Sequence, residues 1–270
     1  MRGLIALDID GTLMGPWGDV RESSREAIGR ARGAGAGVVL ATGRRVVSTQ
    51  EIARRLGIDL PLICYCGARV VHPVTGRVHS HRPLPESVAW QFLDYGRERG
   101  LAVTAFADEY MFMEMLAGDY EAAPPERFRR SLNLHEGRGA LDAARGRAIT
   151  QVAAYGPRAV ESLLAGQASL LTACTVYHLE PGGTRARLQV LAGGVDKAVA
   201  LAELCRELGV PPDRVLAVGD SAVDAGMLAW AGTGVAMPGS DAAARAAAGR
   251  VASPDDPDPV ATAINAWLET

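Results

Sequence analysis

The feature that most constrains the fold of this chain is an alternation of short apolar runs with amphipathic stretches over its first 65 residues. Leu4 to Leu7 is a four-residue apolar run that stops at the polar segment Asp8-Ile9-Asp10-Gly11-Thr12. Ser23 and Glu26 then stand at capping-box spacing, and Ala27, Ile28, Ala31 and Ala34 fall on one helical face, which predicts a helix starting at Ser23. Gly33, Gly35 and Gly37 interrupt it. A second apolar run, Gly37 to Ala41, ends in Thr42-Gly43-Arg44. Leu56 and Gly57 close a further predicted helix, and Leu62 to Tyr65 reads as a third buried strand. The order β-α-β-α-β predicts a parallel sheet covered by helices.

The pattern returns near the C-terminus. Val195 to Leu208 places Leu201, Leu204, Cys205 and Leu208 on one face, with Gly209 as the stop. Val215 to Val218 is another buried run ending in Gly219-Asp220. It is followed by a predicted helix from Val223 to Trp230, a strand from Gly234 to Met237 and an alanine-rich helix. Between these halves the aromatic residues Trp90, Phe92, Tyr95, Phe106, Tyr110 and Phe112 gather. The expectation is an α/β protein with a doubly wound, Rossmann-like core built discontinuously from residues 1–81 and 187–270. Residues 82–186 would form an inserted α+β domain, with those aromatics mostly in its core. No internal repeat is evident.

Several classes are disfavoured. With 48% hydrophobic and 22% charged residues over 270 positions, the composition is that of a globular chain large enough for one or two domains. A net charge of −3 carries no basic excess, so nucleic acid is not expected as a partner. Neither a signal peptide nor an apolar run long enough to span a membrane is recognised, so no membrane association is expected. Cys64, Cys66, Cys174 and Cys205 match no zinc pattern and read as buried thiols in a reducing cytoplasm. Gly33, Gly35 and Gly37 precede a strand instead of opening a helix, which rules against a dinucleotide fingerprint, and no phosphate-binding P-loop is present. His79 and His81 alternate along one segment without an evident third ligand.

Sites in open parallel sheets form beyond the carboxyl ends of the strands. Asp8 and Asp10 follow the first run, Thr42 the second and Asp220 the late one, while Lys197 lies in the first turn of a helix. One sheet edge would thus gather carboxylates, a hydroxyl and an ammonium, a set suited to a divalent cation and a phosphate. A carboxylate approaching a phosphate dianion meets repulsion of about 4 kcal/mol per charge pair at ~4 Å and an effective dielectric near 20. Magnesium, which takes oxygen ligands including one or two carboxylates and phosphate oxygens, can cancel it. Blander readings exist beside these: turn residues for Asp8 and Asp10, helix caps for Thr42 and Asp220, a favourable helix-end charge for Asp224, and a surface ion pair for Arg44.

At this point the chain resembles a known family. Asp8-Ile9-Asp10-Gly11-Thr12-Leu13 is similar to the first motif of the haloacid dehalogenase superfamily. Ala41-Thr42-Gly43-Arg44 resembles the second motif of its Cof-type branch, Gly194-Val195-Asp196-Lys197 the third, and Gly219-Asp220-Ser221-Ala222-Val223-Asp224 the fourth. The motif order and the long insertion before Lys197 resemble the branch that carries a C2-type cap. The resemblance implies a magnesium-dependent phosphatase with Asp8 as nucleophile and Asp10 as general acid and base. Asp8, Asp220 and the Asp10 backbone carbonyl would ligate the metal, supported by Asp224. Thr42 and Lys197 would bind phosphate, helped by backbone amides near Gly11 and Gly43. The expected substrate is a small phosphorylated metabolite such as a sugar phosphate. The alternatives are a phosphomutase of the same fold and a catalytically silent binding protein. Three segments depart from the branch pattern: Cys66-Gly67-Ala68 and Pro238-Gly239-Ser240 each stand where an Asn-containing triplet is usual, and Val223 replaces an Asn.

Overall fold

The computed structural model describes residues 1–15, 19–114, 133–137, 139–179 and 186–270. They divide into two compact units, one made of Met1–Ser80 with Asp196–Thr270 and the other of His81–Val195.

The first unit is built on a five-stranded sheet of order Arg250–Val251, Thr233–Ala236, Val215–Gly219, Leu4–Leu7, Gly37–Leu40, parallel at every pairing. All residues of three of its runs, LIAL, VLAVG and GVVL, are buried. Strands covered on both faces have no polar side to present, so continuous apolar runs replace alternation. Leu62–Cys64, expected inside this sheet, joins it by an isolated parallel bridge between Ala41 and Ile63, with Thr42 N–H donating to the Ile63 carbonyl at 2.8 Å. Its ladder is antiparallel to Arg69–Val71, within a separate three-stranded sheet completed by Val78–His81.

Helices Val46–Leu56 and Lys197–Leu208 end as predicted, at Gly57 and Gly209 in the left-handed region (φ 65° and 66°), where glycine carries no Cβ penalty. The first helix does not start as predicted. It spans Glu22–Gly33 with Arg21 as its N-cap, and no capping box forms. Ser23 and Ser24 instead donate to the Asp258 carboxylate at 2.5 and 2.7 Å, and Asp258 itself caps helix Pro259–Leu268. Two hydroxyls, that of Ser24 buried, thus serve a long-range bond between the N-terminal and C-terminal helices, and the local cap is lost to it.

The second unit carries a six-stranded sheet of order Cys174–Leu179, Arg187–Ala192, Ile149–Tyr155, Val103–Ala107, Tyr110–Glu114, Leu134–Glu136. It is antiparallel except at its last pair. Trp90, Phe92 and Leu93 of helix Glu86–Glu98 and Val160 and Leu163 of helix Pro157–Gly166 share a core with Val103, Phe112, Val152 and Val190. Most of the gathered aromatics are therefore core, as expected, with Tyr110 the exposed exception. The return to the first unit falls at Asp196, later than the position 187 read from the sequence. Arg187–Ala192 pairs on both sides within the second sheet and sends Leu188 and Val190 into its core. Among the described residues no helix is long and apolar enough to cross a membrane.

Candidate active site

The carboxyl end of strand Leu4–Leu7 delivers Asp8 directly, because the Asp8 N–H still belongs to the ladder, donating to Val218 at 3.0 Å. The chain then turns back on itself, with Leu13 N–H donating to the Asp8 carbonyl and Met14 N–H to the Ile9 carbonyl. Gly11 makes this turn possible. Its φ is +85°, and a Cβ there would be driven into the Asp220 carboxylate. Its amide donates to the Met14 carbonyl at 3.1 Å, so the expected phosphate contact from the Gly11 N–H is not available. Gly11 contributes space.

Lys197 and Asp224 lie at the centre. Lys197 opens helix Lys197–Leu208 behind an Asp196 N-cap, whose carboxylate accepts from Ala198 N–H at 2.6 Å. The Lys197 ammonium donates to Asp8 Oδ1 and to Asp224 Oδ1, each at 2.6 Å. Lys197 and Asp224 are 1% and 0% exposed, so this is a buried cluster and not a solvated ion pair. The other Asp224 oxygen accepts from the amides of Asp220 (3.1 Å) and Ser221 (3.0 Å) and from the Ser221 hydroxyl (2.8 Å). Asp224 is the N-cap residue of Ala225–Trp230 by position, but its side chain caps nothing there. Asp220 accepts from the Thr12 hydroxyl at 2.9 Å.

The electrostatics follow from burial. Desolvation pushes the Asp8 carboxyl well above the usual carboxylate range; Lys197 opposes this, and Asp224 adds to it. Asp220 is raised too, by its own desolvation and then by Asp224. Desolvation alone would lower the Lys197 ammonium, but Asp224 and Asp8 overcome it and hold Lys197 charged above its ordinary value. Asp8, Asp220 and Asp224 bring one carboxylate oxygen each to within 4.8 Å of one another, a group that could hold a metal ion.

Asp10 lies outside that group. Its carboxylate forms a bidentate pair with Arg44, Nε to Oδ2 at 2.7 Å and Nη2 to Oδ1 at 2.5 Å. It is more than half exposed, so its side chain stands apart from Asp8, Asp220 and Asp224, in keeping with the expectation that Asp10 would reach a metal through its backbone carbonyl and not its carboxylate. Arg44, which the sequence left open between surface pairing and function, is thereby tied to a candidate catalytic group. Thr42 is buried, and its Oγ1 accepts from Arg44 N–H at 3.1 Å. Arg45, not Thr42, is the N-cap of Val46–Leu56. Gly43 packs on Cys66: a Cβ there would stand 3.3 Å from the Cys66 sulfur.

Tyr65 and Cys66 both hold left-handed backbone (φ 50° and 54°), a conformation that Asn tolerates better than Cys and that costs about 1–3 kcal/mol at non-glycine positions. This is the first of the three departures from the branch pattern. The sequence reading passed over Thr12 and Ser221 as polar neighbours, since a hydroxyl beside an aspartate carries no signal of which carboxylate it will serve.

Comparison with known proteins places the chain in a family. The profile of the haloacid dehalogenase-like hydrolases matches residues 5–264. A pyridoxal phosphate phosphatase of Escherichia coli (strain K12) is 29% identical, covering 98% of each chain. A phosphoglycolate phosphatase of Natronomonas pharaonis is 30% identical over 92% of this chain and 89% of its own length. Among solved structures, a haloacid dehalogenase-like hydrolase from Bacteroides thetaiotaomicron superposes with a TM-score of 0.85 at 24% identity, covering 98% of each chain.

Proposed function

This chain belongs to the haloacid dehalogenase-like hydrolase family, and from that premise we propose that it is a magnesium-dependent phosphatase acting through a phosphorylated Asp8. The observation that carries the reading is the buried Lys197 shared between Asp8 and Asp224. A structural core has no use for a desolvated ammonium between two carboxylates. A site that must bind a phosphate dianion beside a carboxylate nucleophile has one.

Asp8, 4% exposed, attacks phosphorus through a carboxylate oxygen, and the bond to the leaving oxygen breaks. Asp10 delivers a proton to that oxygen. Water then loses a proton to Asp10 and forms the new phosphorus–oxygen bond, Asp8 leaves, and phosphate is released. The bidentate pair with Arg44 describes Asp10 in the ionised state that the second half requires. Proton delivery in the first half requires one oxygen of Asp10 to leave Arg44. Lys197 spends two of its three N–H donors on carboxylates, and the third serves a phosphate oxygen. Thr42 accepts through its oxygen, which leaves its hydroxyl proton for another. The backbone near Gly43 completes the phosphate site.

The hard oxygen donors of Asp8 and Asp220 fit magnesium. Asp224, both of whose oxygens are committed, supports the site indirectly. When bound, the cation supplies positive charge that keeps the nucleophile ionised and neutralises the phosphate. The relatives named for pyridoxal phosphate and phosphoglycolate support a small phosphomonoester as the substrate class. The His81–Val195 unit acts as the cap that selects among such esters, and the four thiols suit a cytoplasmic setting.

The test is phosphate release from p-nitrophenyl phosphate and a panel of metabolite phosphates, with and without magnesium, for the wild type and Asp8→Asn. Turnover that requires magnesium and disappears in Asp8→Asn supports the reading. Magnesium-independent turnover that survives in Asp8→Asn overturns it.

A further inference from the structure

We propose that Asp241 is a positioning residue for the metal site, clamping the loop that carries Asp220 and Asp224; this rests on the magnesium reading above. Residues 219–224 leave strand Val215–Gly219 as a loop with little secondary structure to hold it. On the inside, Asp224 ties down the Asp220 and Ser221 amides. On the outside, the tie comes from the segment after the neighbouring strand, where the sequence departs from its family as Pro238-Gly239-Ser240. Met237 N–H donates to the Gly219 carbonyl and Asp241 N–H to the Asp220 carbonyl, both at 2.9 Å. The Asp241 carboxylate then divides its oxygens: Oδ2 accepts from Ala222 N–H at 2.5 Å, and Oδ1 caps helix Ala242–Ala247 by accepting from Ala244 N–H at 2.9 Å.

Asp241 thus grips the loop on both sides of Ser221, through its own amide to residue 220 and through its carboxylate to residue 222. The first of these contacts falls on the carbonyl of Asp220 itself, directly after the Cα that carries its side chain, while Thr12 holds the Asp220 carboxylate. Bonds of an ionised carboxylate to backbone N–H groups are the strong kind, and two of them oriented by one side chain fix an angle as well as a distance. The altered triplet leaves this role to the residue that follows it: Pro238 and Gly239 bring no side-chain donor or acceptor, and the buried Ser240 hydroxyl makes no hydrogen bond among the described residues.

Outer partners of metal ligands, when removed, change metal affinity by roughly 10–100-fold. Asp241 is exposed to solvent, which competes for its bonds and places the expected effect near the lower end, about 10-fold. The discriminating variant is Asp241→Ser. Serine is as good an N-cap as aspartate and keeps the bond to Ala244, but one hydroxyl oxygen cannot also reach Ala222.

The experiment is calorimetric titration of the substrate-free full chain with magnesium, for the wild type, Asp241→Ser and Asp241→Ala, together with metal-free melting. The expected result is a magnesium Kd raised about 10-fold in both variants, with Asp241→Ser melting like the wild type. A magnesium Kd in Asp241→Ser within about twofold of the wild type overturns the clamp and reduces Asp241 to a helix cap. Absence of magnesium binding by the wild type overturns the metal reading, and the clamp with it.

Discussion

Replacing Asp224 by Asn tests the electrostatic core of the site with almost no change of shape. Asp224 is fully buried and accepts on both sides, from Lys197 on Oδ1 and from the Asp220 and Ser221 amides and the Ser221 hydroxyl on Oδ2. An amide has one acceptor oxygen. Turned toward Lys197, it points its NH2 at three donors; turned the other way, it points NH2 at an ammonium. Either orientation breaks a buried charged pair, which costs about 3–5 kcal/mol. At about 2–4 °C per kcal/mol for a unit of this size, the metal-free melting temperature should fall by about 6–20 °C. The assay is thermal unfolding of the wild type, Asp224→Asn, Lys197→Met and the double variant. Lys197→Met leaves two carboxylates buried together, whereas the double variant leaves only Asp8, so its loss should be smaller than the sum of the single losses by at least about 1 kcal/mol. Melting of Asp224→Asn within 2 °C of the wild type, or strict additivity in the cycle, would refute the claim that these groups form one buried network.

Three other outcomes follow from the same geometry. Arg44→Ala should lower kcat by about 100-fold through misplacement of Asp10, yet change stability by less than about 1 kcal/mol because the pair is partly exposed; an unchanged kcat would sink the link to Asp10. Asp8 and Asp220 are raised in the metal-free protein, so the folded state holds protons that the unfolded state has released. Their contribution to stability therefore falls as pH rises from the ordinary carboxylate pKa, about 4, toward the raised values. A cation requires both groups ionised, so magnesium affinity should weaken on acidification and binding should release protons; calorimetry in two buffers of different ionisation enthalpy measures this, and no proton release between about pH 5 and pH 8 would contradict it. Asp258→Ala removes a helix cap and strands the buried Ser24 hydroxyl, which should cost about 2–4 kcal/mol in urea unfolding without loss of magnesium binding, whereas an unmoved midpoint would show that the serine contacts carry no stability.

The parts of this fold legible in the sequence are those fixed by local chemistry. Buried runs such as Leu4–Leu7 and Val215–Gly219 announce themselves because a strand covered on both faces has nothing polar to show, and Gly57 and Gly209 announce helix ends because the left-handed position excludes most other residues. The parts that were misread depend on partners distant in the chain. Ser23 has the spacing of a cap, but Asp258, 235 residues away, takes its hydroxyl. Leu62–Cys64 has the composition of a central strand, yet it meets the parallel sheet at an isolated bridge and forms its ladder with Arg69–Val71, a pairing set by the chain that follows it. Arg44 stayed open between a surface pair and a functional role, because no spacing rule announces its bidentate pair with Asp10.

Charge, more than any one contact, argues for what the site takes. Asp8, Asp220 and Asp224 bring three carboxylates together and Lys197 supplies one ammonium, so with all of them ionised the cluster carries two negative charges. Desolvation raises Asp8 and Asp220, and the Asp224 charge beside them adds to it, so a further cation would relieve only part of what holds them protonated. A monovalent ion would leave one charge uncompensated, and a divalent one balances the cluster. Only a balanced cluster can then receive a phosphate dianion, since each unpaired charge pair would oppose it by about 4 kcal/mol at ~4 Å. The proposed divalent cation is thus argued from the charges of the cluster before any choice of substrate.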